Sequence, residues 1–246
     1  MHPYPRLAAA LIHAMRRIAR RPSLVVLTLA CSAHAQHFNL DFGPGSHDRP
    51  SDTYGAATGQ LGYWNGVNAD APNNVWTQLR NLDGALTNAR ARVLYGSGST
   101  GCIGGFFSIN WGNLMCDQVA ANGEIEIDID GLEPGIYEVT VYAGLMNQPF
   151  ADTMRAGGDG SFAERQLSGT ISSASFVHGR THARLLVQVI PDRDLYVGVR
   201  ESQAAISAVQ ITKLRLAACE GDLNGDNVCN LDDLQLLLFY FGNSCP

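Results

Sequence analysis

The clearest periodicity in the chain is Glu124-Ile125-Glu126-Ile127-Asp128-Ile129-Asp130, where isoleucine and carboxylate alternate with a strict period of two. Side chains of a strand point to opposite faces in turn. This segment therefore predicts a half-buried strand, isoleucines inward and carboxylates on a solvated face. The turn Gly131-Leu132-Glu133-Pro134-Gly135 follows, and a second strand over residues 136–142 makes the pair a predicted hairpin. Similar patterns predict strands over 38–42, 75–82, 89–95, 106–111, 162–167, 183–190, 195–199 and 205–216. Residues 46–74, rich in Gly, Asn, Asp, Ser and Pro, predict a long loop; 96–105 predicts a glycine-rich turn and 144–160 a further loop. No run of helical length with a 3.6-residue period occurs before residue 230. About nine short strands without a helix predict a mainly β fold, a two-sheet, jelly-roll-like β-sandwich over residues 36–216.

The pattern changes after residue 230. Leu231, Leu234, Leu237, Leu238 and Phe241 follow helical spacing, while Leu236, Phe239 and Tyr240 carry the apolar coat around most of the circumference. A helix of about ten residues with that coat is not stable alone in water. It must dock on the sandwich, on a partner or on another copy, and docking on the sandwich is the simplest arrangement. At about 25 cal/mol per Å², burying two or three of these side chains contributes several kcal/mol.

The segment before this helix carries the sharpest chemistry. Asp222, Asn224, Asp226, Asn230 and Asp233 fall at positions 1, 3, 5, 9 and 12 of a twelve-residue loop, the spacing with which one short segment gathers oxygens around Ca²⁺. Val228, at position 7, supplies its backbone carbonyl. Asn227 stands where glycine usually makes the sharp turn, and it tolerates the left-handed conformation required there. Asp233 has a shorter arm than the usual Glu, which predicts weaker binding than in a cytosolic sensor. The ion is expected to be structural, holding the helix in place.

Composition bears on the compartment. Arg16, Arg17, Arg20 and Arg21 precede an apolar run from Leu24 to Ala30 and then Ala33-His34-Ala35, which predicts a signal peptide over residues 1–35 and a secreted or cell-surface protein. Translation from Met15 would give a leader of ordinary length. Cleavage at Cys31 with lipidation is the alternative. The apolar run is too short to span a bilayer. The leader holds five of the 17 basic residues and no acidic one, so the remainder has twelve basic against 23 acidic residues, a net charge of −11. That disfavours nucleic acid and anionic membrane as partners.

Of the six cysteines, Cys102, Cys116, Cys219, Cys229 and Cys245 lie beyond the leader. In an exported chain they suggest disulfides with one thiol left over. A Cys102–Cys116 bridge would contribute up to about 3 kcal/mol. Cys219–Cys245 would staple the calcium loop and its helix; Cys229–Cys245 is the competing pairing.

No catalytic motif such as G-x-S-x-G or H-E-x-x-H is present, so no catalytic residue is assigned. His178 and His182 sit in a loop context, and Glu124, Glu126, Asp128 and Asp130 are explained by a solvated strand face. Tyr63, Trp64, Asn65 and Trp111, with Asn68, are the candidates for stacking on and reading a sugar, and Arg155 and Asp159 in a second loop are placed to join them. Trp76 is expected in the core.

Two resemblances follow from quoted stretches. "NLDFG", "GLEPGIYEVTVYAG" and "AAISAVQITKL" resemble the galactose-binding-like jelly roll of malectin-type and carbohydrate-binding modules, which implies an extracellular glycan as ligand. "GDLNGDNVCNLDDLQLLLFYFG" resembles a type I dockerin repeat, with the calcium ligands at matching positions and a cohesin-like protein implied as partner. Two departures weaken cohesin binding more than calcium binding: there is one repeat instead of two, and Leu231-Asp232 stands where a Ser/Thr pair is common. The domains expected are the leader over 1–35, the sandwich over 36–216 and a dockerin-like module over 217–246. The function expected is non-catalytic attachment to a glycan or matrix, with polysaccharide breakdown and a ligand-free structural role as alternatives. Calorimetric titration with Ca²⁺ should reveal one site, which Asp222→Ala combined with Asp226→Ala removes; a wild-type chain without binding heat refutes the assignment.

Overall fold

The structure is a computed structural model, which describes residues 36–43, 49–69, 75–95, 98–102, 109–145, 147–214 and 231–240. The leader, residues 222–230 of the calcium loop, and Cys219, Cys229 and Cys245 lie outside them. The strands are β1 (His37–Gly43), β2 (Trp64–Asn68), β3 (Thr77–Arg80), β4 (Leu86–Tyr95), β5 (Gly98–Cys102), β6 (Asp117–Asp130), β7 (Gly135–Tyr142), β8 (Pro149–Gly157), β9 (Ala163–Thr170), β10 (His182–Val189), β11 (Leu195–Ile206) and β12 (Ala208–Leu214). Among the described residues two helices accompany them, α1 (Ile109–Met115) and α2 (Leu231–Tyr240).

The strands form a two-sheet β-sandwich. One sheet has five strands in the order β10-β7-β12-β1-β2, the other seven in the order β3-β4-β6-β11-β8-β9, with β5 added on β6. All pairings are antiparallel except β1 with β2. The core between the sheets is built from alternate positions: Phe38, Leu40 and Phe42 of β1, Ile125, Ile127 and Ile129 of β6, Val139 and Val141 of β7, Val197 and Val199 of β11, and Val209 and Ile211 of β12. Each such residue contributes about 1.5–3 kcal/mol on burial.

Several local expectations are corrected. β6 and β7 do not pair; they belong to opposite sheets, so Gly131–Pro134 crosses the sandwich instead of closing a hairpin. Gly131 has φ +77°, and a Cβ there would lie 2.6 Å from the Asn88 carbonyl oxygen, so the crossing needs glycine twice over. The predicted loop over 46–74 contains β2, that over 144–160 contains β8, and the glycine-rich turn contains β5. All three strands have polar or glycine-rich sequences that show little alternation, and pairing with a neighbour makes up for weak local signal.

The predicted strand over 106–111 is replaced, from Ile109 on, by helix α1. Trp111, Leu114 and Met115, spaced i, i+3 and i+4, bury one face of it in a second apolar cluster with Trp64, Tyr142, Ile171 and Ala208. The loop over residues 49–63 is tied to the opposite side: Ser51 N–H donates to Asn110 Oδ1 at 2.9 Å, and Asn113 Nδ2 donates to the Arg49 carbonyl at 3.2 Å.

That loop covers the outer face of the five-stranded sheet through an amide network. Gln60 Nε2 and Gln210 Nε2 donate to Asn39 Oδ1 at 2.8 and 2.9 Å, Thr58 Oγ1 donates to Gln210 Oε1 at 2.8 Å, and Thr212 Oγ1 donates to Gln60 Oε1 at 2.6 Å. Tyr142 OH donates to the same Gln210 oxygen and accepts from Ala57 N–H. Burial lifts the Tyr142 phenol well above its ordinary range, so it stays a neutral donor.

Cys116 is disulfide-bonded, and the β5–β6 register sets the backbone of Cys102 opposite Asp117. In α2, Leu231, Leu234 and Leu238 are exposed, so these three do not pack on the sandwich, while Asp233 is buried; the side chains of Leu236, Leu237, Phe239 and Tyr240 lie outside those described.

Asn65 joins the two sheets. Its Nδ2 donates to the carbonyls of Asn39 (3.1 Å) and Arg80 (2.8 Å), and its Oδ1 accepts from Arg80 N–H at 2.7 Å. One side-chain amide thereby satisfies two backbone groups of β3 at the sandwich rim. Asn65→Ala is expected to destabilise by about 2–4 kcal/mol in urea unfolding, because it strands those groups; a loss below about 0.5 kcal/mol contradicts the clasp.

Candidate functional site

With much of the five-stranded sheet covered by the 49–63 loop, the outer face of the seven-stranded sheet presents a charged polar surface, half-buried along β6 and with Asp128 buried. Its centre is the carboxylate side of β6. The register places Arg90 and Arg92 of β4 opposite Asp130 and Asp128, and Tyr196, Gly198 and Arg200 of β11 opposite Asp128, Glu126 and Glu124. Arg92 donates to Asp128 Oδ2 through Nε at 2.9 Å and Nη2 at 2.6 Å; Arg90 reaches Asp130 Oδ2 at 2.7 Å. Cross-strand pairs of opposite charge stabilise a sheet modestly, but they also hold each group in one orientation.

Trp76 enters here. Immediately before β3, its indole lies against both guanidinia, whose central carbons are 4.5 Å (Arg90) and 4.4 Å (Arg92) from the ring centroid. The ring is half-buried, leaving part of it open to solvent. Carboxylate, guanidinium and indole form a stack in which each layer orients the next.

A second aromatic group stands across the face. Tyr196 folds over Gly198, where a Cβ would meet the phenol oxygen at 2.5 Å, so the absence of a side chain at 198 makes room for the ring. Tyr196 OH donates to Glu124 and accepts from Arg155 at 2.6 Å (Nη2) and 3.1 Å (Nε), and Arg155 also pairs with Glu124. Phe162 meets Tyr196 edge-on, with centroids 5.2 Å apart and planes at 78°, and the Arg155 guanidinium lies 5.1 Å from its centroid. Phe162 is 48% exposed.

The carboxylates are not equivalent. Burial, and then the hydrogen bond and charge of Asp128, raise the Glu126 carboxyl above its ordinary range, against the pull of Arg92. Asp194 is raised by burial and by Asp130 and Asp128. Asp128 and Asp130 bind the two arginines, while Glu126 and Asp194 hold their protons to higher pH. Chemically, the face offers flat apolar rings at two ends and pre-oriented donors and acceptors between them.

The residues expected to read a sugar sit elsewhere. Trp64 (1% exposed) and Trp111 (2%) are core residues of the second cluster, and a buried ring offers no face to a pyranose. Trp64 Nε1 donates to the Tyr54 carbonyl instead. Asn65 is spent on the inter-sheet clasp. Tyr63 is half-buried beneath Arg49, whose guanidinium carbon is 4.9 Å from its centroid and whose Nη1 donates to its hydroxyl at 2.6 Å. Asn68 is exposed at the end of β2. Trp76, expected in the core, is the tryptophan that reaches the surface: Leu79 is the residue of β3 that enters the core, and Trp76, three positions earlier, falls on the other face of the alternation. Arg155, expected to join Tyr63, Trp64 and Asn65 from a loop, lies instead in strand β8 against Tyr196 and Phe162; Asp159 lies in the turn after it.

His178 and His182 have ring centroids 5.5 Å apart. His182 is buried against Tyr142 and Phe176, and burial pushes its pKa down to about 4. Among the described residues no group of three or more His, Cys, Asp or Glu is placed to hold a metal ion. Of the expected calcium ligands only Asp233 is described, buried at the start of α2; Asp222, Asn224, Asp226, Val228 and Asn230 lie outside the described residues. Among the described residues no helix is long and apolar enough to cross a membrane.

No protein-family model and no curated protein matches the chain. Among solved structures, a ruminal GH26 endo-β-1,4-mannanase is similar with a TM-score of 0.29 and 12% identity, over 49% of this chain and 23% of that one. TmCBM61, solved in complex with β-1,4-galactotriose, is similar with a TM-score of 0.25 and 10% identity, over 39% of this chain and 69% of that one. The chain thus spans less than a quarter of the mannanase.

The tryptophans give a direct check on this placement. The chain has three, and Trp76 is the one open to solvent. Acrylamide should quench one component of the native emission, and in Trp76→Phe the remaining emission should be protected until the protein unfolds. Strong quenching that persists in that variant contradicts the burial of Trp64 and Trp111.

Proposed function

We propose that this is an exported, non-catalytic glycan-binding protein whose seven-stranded sheet receives a neutral polysaccharide and whose C-terminal loop and helix are clamped by structural Ca²⁺. The observation that carries the glycan reading is the Trp76–Arg90–Arg92 stack on a row of oriented carboxylates. A pyranose needs an apolar face for its C–H side and fixed acceptors and donors for its hydroxyls, and this surface supplies both without reorganisation. Carboxylates Glu124, Glu126, Asp128, Asp130 and Asp194 outnumber Arg90, Arg92, Arg155 and Arg200 there by one, which favours neutral over acidic glycans.

For the tail, the chemistry of the donor set supports calcium: five oxygen side chains in EF-type register, with Asp233, the twelfth position, turned inward at the start of α2. Asp222, Asn224, Asp226, Val228 and Asn230 would complete the ligand set. Calcium would supply charge neutralisation and a fixed entry angle for the helix. Anchoring or assembly is the role this module would then serve, with a cohesin-like protein or matrix glycan as partner.

Affinity electrophoresis in gels containing galactan, mannan, xylan or polygalacturonate tests the glycan reading. Retardation is expected in at least one neutral gel, and Trp76→Ala should weaken it about tenfold or more, equivalent to about 1.4 kcal/mol. No retardation in any gel, or retardation that Trp76→Ala leaves unchanged, refutes it. Release of reducing ends that Glu126→Gln abolishes would overturn the non-catalytic part.

A further inference from the structure

Beside the proposed sheet face lies a cleft of about 210 Å³ that none of the preceding roles uses. It opens where the turn between β8 and β9 meets the edge strand β10, so its two walls come from different sheets. Asp159, Ser161 and Phe162 form one wall, Leu186 and Gln188 the other. Phe162 (48%) and Leu186 (63%), large apolar residues that both line the cleft, are exposed.

The shape is built by glycine. A Cβ on Gly157 would collide with the Ser161 carbonyl oxygen, and one on Gly158 would lie 2.8 Å from the Gln188 carbonyl oxygen. Only without those side chains can the turn close on itself and rest against β10, which it does through a parallel bridge between Gly158 and Val189. Asp159 Oδ1 is fixed in the turn by Ser161, whose N–H and O–H donate to it at 2.8 and 2.6 Å. The cleft thus has a flat ring, a second apolar wall, an oriented carboxylate and an exposed amide at Gln188. Its volume is below the range of about 300–1,000 Å³ typical of sites for drug-sized ligands, which suits a single small ring.

We propose that this cleft is a pocket for the terminal hexose of a neutral glycan. The ring would stack on Phe162 and Leu186 while its hydroxyls bond Asp159 and Gln188. The cleft is continuous with the sheet face through Phe162, which contacts Tyr196 and Arg155 of that face. From β4 to β8 is three strand spacings, about 14 Å, so one glycan can lie across the sheet from Trp76 with its end in the cleft. The proposal rests on the glycan reading of the sheet and extends it to chain-end recognition.

The test is titration of the full ¹⁵N-labelled chain with D-galactose, D-glucose and D-mannose, following amide shifts. At least one hexose should shift Ser161, Phe162 and Gln188 saturably, and Phe162→Ala should weaken that response at least tenfold while the spectrum stays dispersed. Should Phe162→Ala not fold, Asp159→Ala and Gln188→Ala carry the same expectation. No shift with any of the three sugars, or shifts unchanged by all the variants that fold, overturns the proposal. Cleft amides that stay still, alongside polysaccharide retention that needs Trp76, refute the chain-end pocket and leave the sheet reading standing. Hexose shifts in the cleft, with retention indifferent to Trp76→Ala, do the reverse.

Discussion

Strand β6 sets the main constraint on this molecule: it must bury three isoleucines on one side while holding four carboxylates on the other. The isoleucines place it at the middle of the core. Four like charges about 7 Å apart along one strand face would then repel one another unless cations are placed opposite. The neighbours supply them. Arg90 and Arg92 arrive from β4 in register with Asp130 and Asp128, and Arg155 reaches Glu124 from β8 across Tyr196 and the space left at Gly198. Orientation of the aromatic rings follows from those ion pairs, since the same guanidinia that neutralise the carboxylates support Trp76, Tyr196 and Phe162.

The opposite sheet solves a different problem. Its outer face carries Asn39, Gln210 and Tyr142, polar groups that are buried beneath a loop. Burial of such groups is tolerable only when they are hydrogen-bonded, and Gln60, Thr58 and Thr212 complete the network. Covering this face has two effects. It consumes Trp64 and Trp111 as packing residues beneath the loop, and it leaves the β6 side without such a cover.

Seams between sheets are where the strands lose partners, and this protein treats its seams differently. At β2–β3 the gap is closed by a side chain, Asn65, acting as a substitute for ladder hydrogen bonds. At β8–β9 and β10 it is bridged by backbone, the close approach of Gly158 to Val189, and a cleft remains beside it. Glycines there do structural work that their small size alone makes possible.

Much of the architecture was legible in the chain because alternation is a local property. The Ile/carboxylate run, the strands at β1, β4, β7, β9 and β10, and the α2 helix all show their period within one element, and a mainly β sandwich followed from them. The charges of β6 were visible too, but not their partners, because Arg90 and Arg155 are 40 and 31 residues from the carboxylates they meet. β2, β5 and β8 were missed since their polar or glycine-rich residues show little alternation, and what holds them in the sheets is pairing with a neighbouring strand. The aromatic residues show the division most plainly. Sequence alone establishes that Trp64, Trp76 and Trp111 exist in polar or glycine-rich surroundings, which says nothing about which of them is covered. A folded loop and one short helix bury Trp64 and Trp111, whereas two arginines on a neighbouring strand hold Trp76 at the surface. Exposure is a property of the tertiary packing, and only that packing could decide which ring meets solvent.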